Sequence, residues 1–252
     1  KPNGADTPPW MGRQREASAE LTALGDKLNT SSTFIMTAEP ISTVLQPPWS
    51  KSQRRIGLTG GIATGKSSVG HYLAEQHALA FLDADLYARA ALAPGSAATK
   101  AVLQRYGKAV AAGSQNNESS LDRSALGKIV FNDAAERYWL EQLVHPIVRQ
   151  RFEADLALLT ETTPVVLMIP LLFEAKLTDL CSEVWLVDCS STQQCQRLMS
   201  RDELSRQDSE RRIAAQWPMS QKRDLADLVI DNSGSPGSWK PSVDQALRQE
   251  KQ

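Results

Sequence analysis

Residues 53–68 read QRRIGLTGGIATGKSS, and the run from Gly60 through Gly61, Ile62, Ala63, Thr64, Gly65, Lys66 and Ser67 fits the spacing GxxxxGK[ST]. Ile56 and Leu58 make a short apolar strand just before it, and Val69, Tyr72, Leu73 and Gln76 fall on one helical face just after. Strand, glycine loop and helix come in the order that phosphate binding requires. Glycines let main-chain N–H groups turn inward, and the helix N-terminus adds partial positive charge. Lys66 can neutralise phosphate oxygens, and the Ser67 hydroxyl suits Mg²⁺. The alternative, a glycine-rich turn that holds nothing, is rare when the full pattern stands in this context.

Outward from this stretch, short β-branched runs alternate with helical segments, which predicts an α/β fold with a parallel sheet. The candidate strands are Arg55 to Thr59, Leu79 to Leu82, Val165 to Ile169, Val184 to Asp188 and Leu228 to Asp231. Between the second and third, residues 84–163 show only helical periodicity. Ser96 can cap a helix that Gly107 ends, and Asn132 or Asp133 can cap another whose buried stripe is Trp139, Leu140, Leu143 and Val144. Pro146 should kink or restart that helix, leaving Ile147 to Leu159 as a second arm. Gly113 to Ser120 reads as a polar loop.

Six of the 13 prolines, Pro2, Pro8, Pro9, Pro40, Pro47 and Pro48, precede the first strand, so residues 1–53 read as a flexible extension. Glu16 to Leu28 could form one amphipathic helix there, and folding information is expected to begin after Met36. The segment 241–252 gives no useful signal and reads as a tail. Over 252 residues, 28 Lys and Arg stand against 29 Asp and Glu, a net charge of -1, so no global field favours nucleic acid or an acidic membrane. Any anion site must be local. The longest apolar run, Val165 to Phe173, is broken by Pro170 and is too short to span a bilayer. Cys181, Cys189 and Cys195 form no CxxC pair, which points to a reducing compartment and a cytoplasmic protein.

Asp83 and Asp85 leave the carboxyl edge of the second strand, which is expected beside the phosphate loop. An Asp there can orient an acceptor hydroxyl and take its proton. Arg89 follows Asp85 by one helical turn and suits an anionic substrate; the plainer reading is a helix cap with a surface ion pair. Arg197, Arg201, Arg206, Arg211 and Arg212 could close over a nucleotide, but the acidic residues interleaved with them also suit a solvated face. His145 and the tryptophans Trp139, Trp185 and Trp217 read more readily as packing residues.

Together these residues resemble the dephospho-CoA kinase family. The resemblance rests on IGLTGGIATGKS (56–67), LDADLYAR (82–89), LDRSALGKIVF (121–131), LVHPIV (143–148), IPLLFEA (169–175), QRLMSRD (196–202), RIAAQWP (212–218) and DLVIDNSGS (227–235). It implies a P-loop kinase core with a five-stranded parallel sheet over 54–83, 164–195 and 227–240. It further implies an inserted helical substrate subdomain at about 84–163 and a lid at about 196–226. The substrates it implies are ATP with Mg²⁺, and dephospho-CoA phosphorylated on the ribose 3′-hydroxyl. Asp85 would be the base, with Arg89, His145 and the Pro170 to Glu174 segment, including Leu171 and Glu174, near the acceptor. Gly61 to Ser68, Arg197, Arg201 and Asn232 would surround ATP, with catalytic Lys66 on its phosphates and Ser67 on the metal. Thr64 and Ser68 stand where the family often has Ser and Thr. The rival readings are another small-molecule or nucleoside monophosphate kinase, or a nucleotide-binding module without catalysis. Against a GTP switch, the chain has no NKxD sequence. Oligomeric state is left open by the sequence.

Overall fold

A computed structural model describes residues 53–112 and 120–249. In chain order the elements are β1 (Arg55–Gly60), α1 (Lys66–Gln76), β2 (Ala80–Asp83), α2 (Ala84–Ala91), α3 (Ala97–Tyr106), α4 (Arg123–Asn132) and α5 (Ala134–Ala157). They continue with β3 (Val165–Met168), β4 (Glu183–Asp188), α6 (Ser191–Asp202), α7 (Arg206–Ala214), α8 (Met219–Asp224), β5 (Leu228–Asp231) and α9 (Lys240–Arg248). All five strands pair in parallel, in the order β2-β3-β1-β4-β5. β1 is central and every one of its residues is buried, as a strand covered on both faces must be.

Alternation along β3 shows how the two cores form. Val165 and Leu167 face a cluster with Leu82, Ile169 and Val184, onto which α5 lays Val144, Val148, Phe152 and Leu156. Val166 faces the opposite cluster with Ile56, Leu58, Val69, Leu73, Trp185 and Ile230. A smaller cluster around Val102, Val110 and Leu126 holds α3, α4 and the start of α5 together. Ser96 caps α3 by accepting from the Thr99 N–H, Gly107 ends it, and Asp133, not Asn132, caps α5.

Four sequence expectations are corrected. First, β2 does not lie beside β1: β3 stands between them, with Asp83 opposite Met168. Second, Pro146 does not restart the helix, because α5 runs through it for 24 residues. The lost hydrogen bond and ring clash cost about 3 kcal/mol. Val144, Val148 and Phe152, buried on the other side of α5, each return about 1.5–3 kcal/mol and keep the helix continuous through the proline. Third, much of the expected tail is helix α9. Val243 is fully buried, Tyr72 donates to Asp244 at 2.8 Å, and Arg54 donates to the terminal carbonyls of Ala246 and Leu247 at 2.9 and 2.8 Å. Fourth, Gln53 belongs to the folded body: it is buried and donates to the Thr160 and Thr163 carbonyls. The rest of the expected extension, with its Glu16 to Leu28 helix, lies outside the described residues, as does the polar loop except for Ser120. No described helix is long and apolar enough to cross a membrane.

Candidate active site

The turn from β1 into α1 depends on side chains that approach it from far along the chain. Gly65 has φ of 101°, and a Cβ there would stand 2.1 Å from Asn232 Nδ2, so both conformation and space demand glycine. A Cβ on Gly61 would stand 2.4 Å from Gln194 Nε2. Thr64 is fully buried and its hydroxyl donates to the Gly61 carbonyl at 2.9 Å, while Asn232 Nδ2 donates to the Thr64 carbonyl at 2.8 Å. Gln194 Nε2 donates to the Ile62 carbonyl and the Ile62 N–H donates to Gln216 Oε1, each at 2.8 Å. The main chain of the loop is therefore tied on several sides before any ligand arrives.

Lys66 folds back over the loop, donating to the Gly61 carbonyl at 2.6 Å and the Gly60 carbonyl at 3.0 Å. Burial pulls its ammonium down to about 8; Lys222 and Arg201 add to the effect, while Asp85 and Glu174 oppose it. A cation held at such a cost is matched to an anion that would enter beside it.

A cavity of about 980 Å³ opens over the loop. Ile62, Ala63, Gly65, Lys66 and Ser67 form one wall, and Asp85, Leu171, Glu174, Arg197 and Arg201 stand on the others. Asp83 and Asp85 divide their work. Asp83 accepts the Asp85 N–H at 2.8 Å and caps α2, and burial raises its pKa above the ordinary value. Asp85 is exposed to the cavity. Arg197 Nη2 donates to the Asn232 carbonyl at 2.9 Å, leaving Nη1 buried without a hydrogen-bond partner among the described residues. An unpartnered guanidinium N–H beside a phosphate loop is a donor suited to an anion. Arg201 pairs with Asp202 at 2.7 Å, which raises it further above its ordinary value.

Not every expected residue shares this cavity. Ser68 and Asn232 line a second one of about 710 Å³, with Gly65, Arg197 and Trp239. Arg197 and Gly65 connect the two. His145 lines an apolar side pocket of about 210 Å³ that shares Asp85 and Leu171 with the main cavity, and burial lowers its pKa. Arg89 is exposed on the last turn of α2 and lines none of these spaces. Gly61 and Thr64 are buried and shape the loop from behind. Among the lid arginines, Arg206 and Arg211 pair with Glu210 and Asp208 on an exposed face, whereas Arg212 reaches the main cavity. Trp185 is core, while Trp217 stacks on Phe173 with ring centroids 6.3 Å apart. Sequence reading missed Gln194, Gln216 and Lys222. Nothing local marks Gln194 and Gln216 as reaching back to a loop more than a hundred residues away, or Lys222 as pairing with Glu174.

The donor set fits one cation only in company with phosphate. No group of three or more His, Cys, Asp or Glu that could hold a metal occurs among the described residues. The Ser67 hydroxyl and Asp85 can supply the one or two protein oxygens that Mg²⁺ takes beside phosphates and water.

Known proteins resemble this chain over most of its length. A dephospho-CoA kinase from Prochlorococcus marinus (strain MIT 9313) is 65% identical over 198 residues, covering 79% of this chain and 97% of that one. A dephospho-CoA kinase from Synechococcus sp. (strain CC9605) is 60% identical over 197 residues, covering 78% and 93%. The crystal structure of TT1252 from Thermus thermophilus superposes with a TM-score of 0.65 at 32% identity, over 80% of this chain and all of that one. The dephospho-CoA kinase from Campylobacter jejuni, at 24% identity and a TM-score of 0.55 over 77% and 95%, shares the fold. The family description "Dephospho-CoA kinase" matches residues 54–237, and the chain belongs to that family.

Proposed function

We propose that this chain transfers the γ-phosphoryl group of ATP to the 3′-hydroxyl of dephospho-CoA, giving CoA and ADP. The observation that carries the reading is that Lys66 and Asp85, from opposite sides of β3, line one cavity. Main-chain N–H groups of residues 61–68 would hold the phosphates, and Lys66 would leave the Gly60 and Gly61 carbonyls to neutralise them. Arg197 would offer its free Nη1, and Arg201 would add charge at the transferred group. Ser68 and Asn232, at the second cavity, would lie beside the nucleoside.

Asp85 would accept the proton of the acceptor hydroxyl and aim its oxygen at the phosphorus. Leu171 and Glu174 would wall the acceptor, His145 would bound its apolar side, and Arg89 would meet it only at the outer edge. Mg²⁺, held by Ser67 and the phosphates, would draw charge from the transferred group. Residues 84–163 would then form the acceptor-binding subdomain and residues 196–226 the lid. The three cysteines are free thiols, as suits a cytoplasmic enzyme.

Purified protein incubated with ATP and dephospho-CoA should yield CoA by mass spectrometry, with little product from nucleoside monophosphates or other alcohols in the same tube. Preference for a different acceptor would replace dephospho-CoA as the substrate. Absence of any phosphorylated product would leave a binding module.

A further inference from the structure

Behind the wall of the active cavity lies a lysine that the proposed chemistry does not use. Lys222, on α8, has 0% of its side chain exposed, and its Nζ stands 2.7 Å from Glu174 Oε1. The contact is an ion pair and not an aligned hydrogen bond, and Glu174 Oε2 is also buried without a partner among the described residues. Glu174 Oε1 additionally accepts the Trp217 N–H at 3.1 Å. Taking two charges out of water usually costs more than their attraction returns, so apolar side chains would serve packing better here.

The position of this pair points to the reaction. Glu174 lines the cavity beside Lys66 and Asp85. The turn before α8 holds the phosphate loop through Gln216 on the Ile62 N–H, and Met219 Sδ stands 3.0 Å from where a Gly61 Cβ would be. Lys222 therefore joins the segment that follows β3 to the segment that braces the loop.

We propose that Lys222 is a positioning residue for phosphoryl transfer: its buried charge, anchored on Glu174, fixes the segment that braces the phosphate loop against the acceptor wall. The inference rests on the kinase reading above. Misplacing the reacting groups acts mainly on the transition state, so loss of this anchor should appear in kcat more than in KM.

The test compares Lys222→Met, Lys222→Arg, Lys222→Gln and the double variant Lys222→Met with Glu174→Gln, each assayed for CoA formation and thermal unfolding. The double variant removes both charges together and leaves no unpaired ion, so it should keep its Tm. Its kcat should fall at least fivefold, with KM for ATP within threefold of the original; Lys222→Gln, which leaves the acceptor wall unaltered, should show the same fall in kcat with KM for both substrates within threefold. Lys222→Arg should stay within threefold in kcat, because it keeps the charge. A folded double variant that loses less than fivefold in kcat overturns the proposal and reduces the pair to packing. If the double variant does not fold, Lys222→Gln decides by the same threshold, since it keeps a donor to Glu174 without the charge. If the unaltered chain makes no CoA at all, the kinase reading has failed, and this outcome is distinct from the others.

Discussion

The ammonium of Lys66 donates to the carbonyl oxygen of Gly61, five residues earlier in the chain, at 2.6 Å. The lysine thus closes on the loop that presents it, and phosphate must draw it away. Because the loop is also tied by Thr64 to Gly61 and by Asn232 to Thr64, it does not need Lys66 to keep its shape. Lys66→Ala should therefore unfold at nearly the same temperature and yet lose about 10²–10³ in kcat/KM, the scale of one missing transition-state donor. Calorimetric titration with ATP should show weaker binding in the same variant, and an unchanged affinity would place the phosphates elsewhere.

Asn232 presents the opposite case. Its amide is buried against Gly65 and donates to the Thr64 carbonyl, so its removal leaves a buried acceptor unmet. Asn232→Ala should cost about 1–3 kcal/mol of stability, read from denaturant midpoints. KM for ATP should rise with it, since Arg197 also rests on the Asn232 carbonyl.

These two residues show what the sequence could and could not disclose. The phosphate loop was legible because its glycines and lysine are local requirements, satisfied within eight positions and flanked by clear strand and helix patterns. The five strands were legible from their β-branched runs, to within one residue at either end. Strand order was not, because nothing local tells β2 to pair with β3 and leave β1. The contacts of Gln194, Gln216 and Lys222 with residues far away in the chain were hidden for the same reason. Helix α9 is weakly marked although Val243, Ala246 and Leu247 carry helical spacing, since nine residues give a weak periodic signal. Pro146 misled in the other direction, as local breaking chemistry lost to the burial of α5.

Asp85 is the residue whose role is most exposed to test. It stands in the main cavity while its neighbour Asp83 is committed to capping α2, so the two carboxylates should respond differently to the same change. Asp85→Asn should leave ATP affinity nearly intact and lower kcat by about 10²–10⁴, as loss of a general base does. Asp83→Asn retains a side-chain oxygen for the cap and should change kcat far less. Equal losses in the two variants would mean that the pair acts as one acidic patch and would remove Asp85 from its special place.

The helical region offers a pH-dependent signal that is independent of catalysis. Arg105 donates to Glu136 through Nε at 2.7 Å and Nη2 at 2.9 Å, and the Tyr106 hydroxyl donates to the same carboxylate. Arg105 first, then Tyr106, hold the Glu136 carboxyl down to about 2, against 4.5 for the free group. A carboxyl depressed on folding stabilises the folded chain fully above its unfolded value and loses that contribution as pH falls toward its folded value. The difference in Tm between the original chain and Glu136→Gln should therefore be constant above about pH 5.5, shrink between 4.5 and 2, and vanish below. Because the Arg105 side chain is 39% exposed, 1 M salt should narrow the difference at neutral pH as well. None of the three residues lines the active cavity, so kcat for CoA formation at neutral pH should be the same in both proteins. A kcat that followed the acid transition would tie this junction to the reacting groups and move the acceptor deeper into the helical region than Asp85 and Glu174 place it.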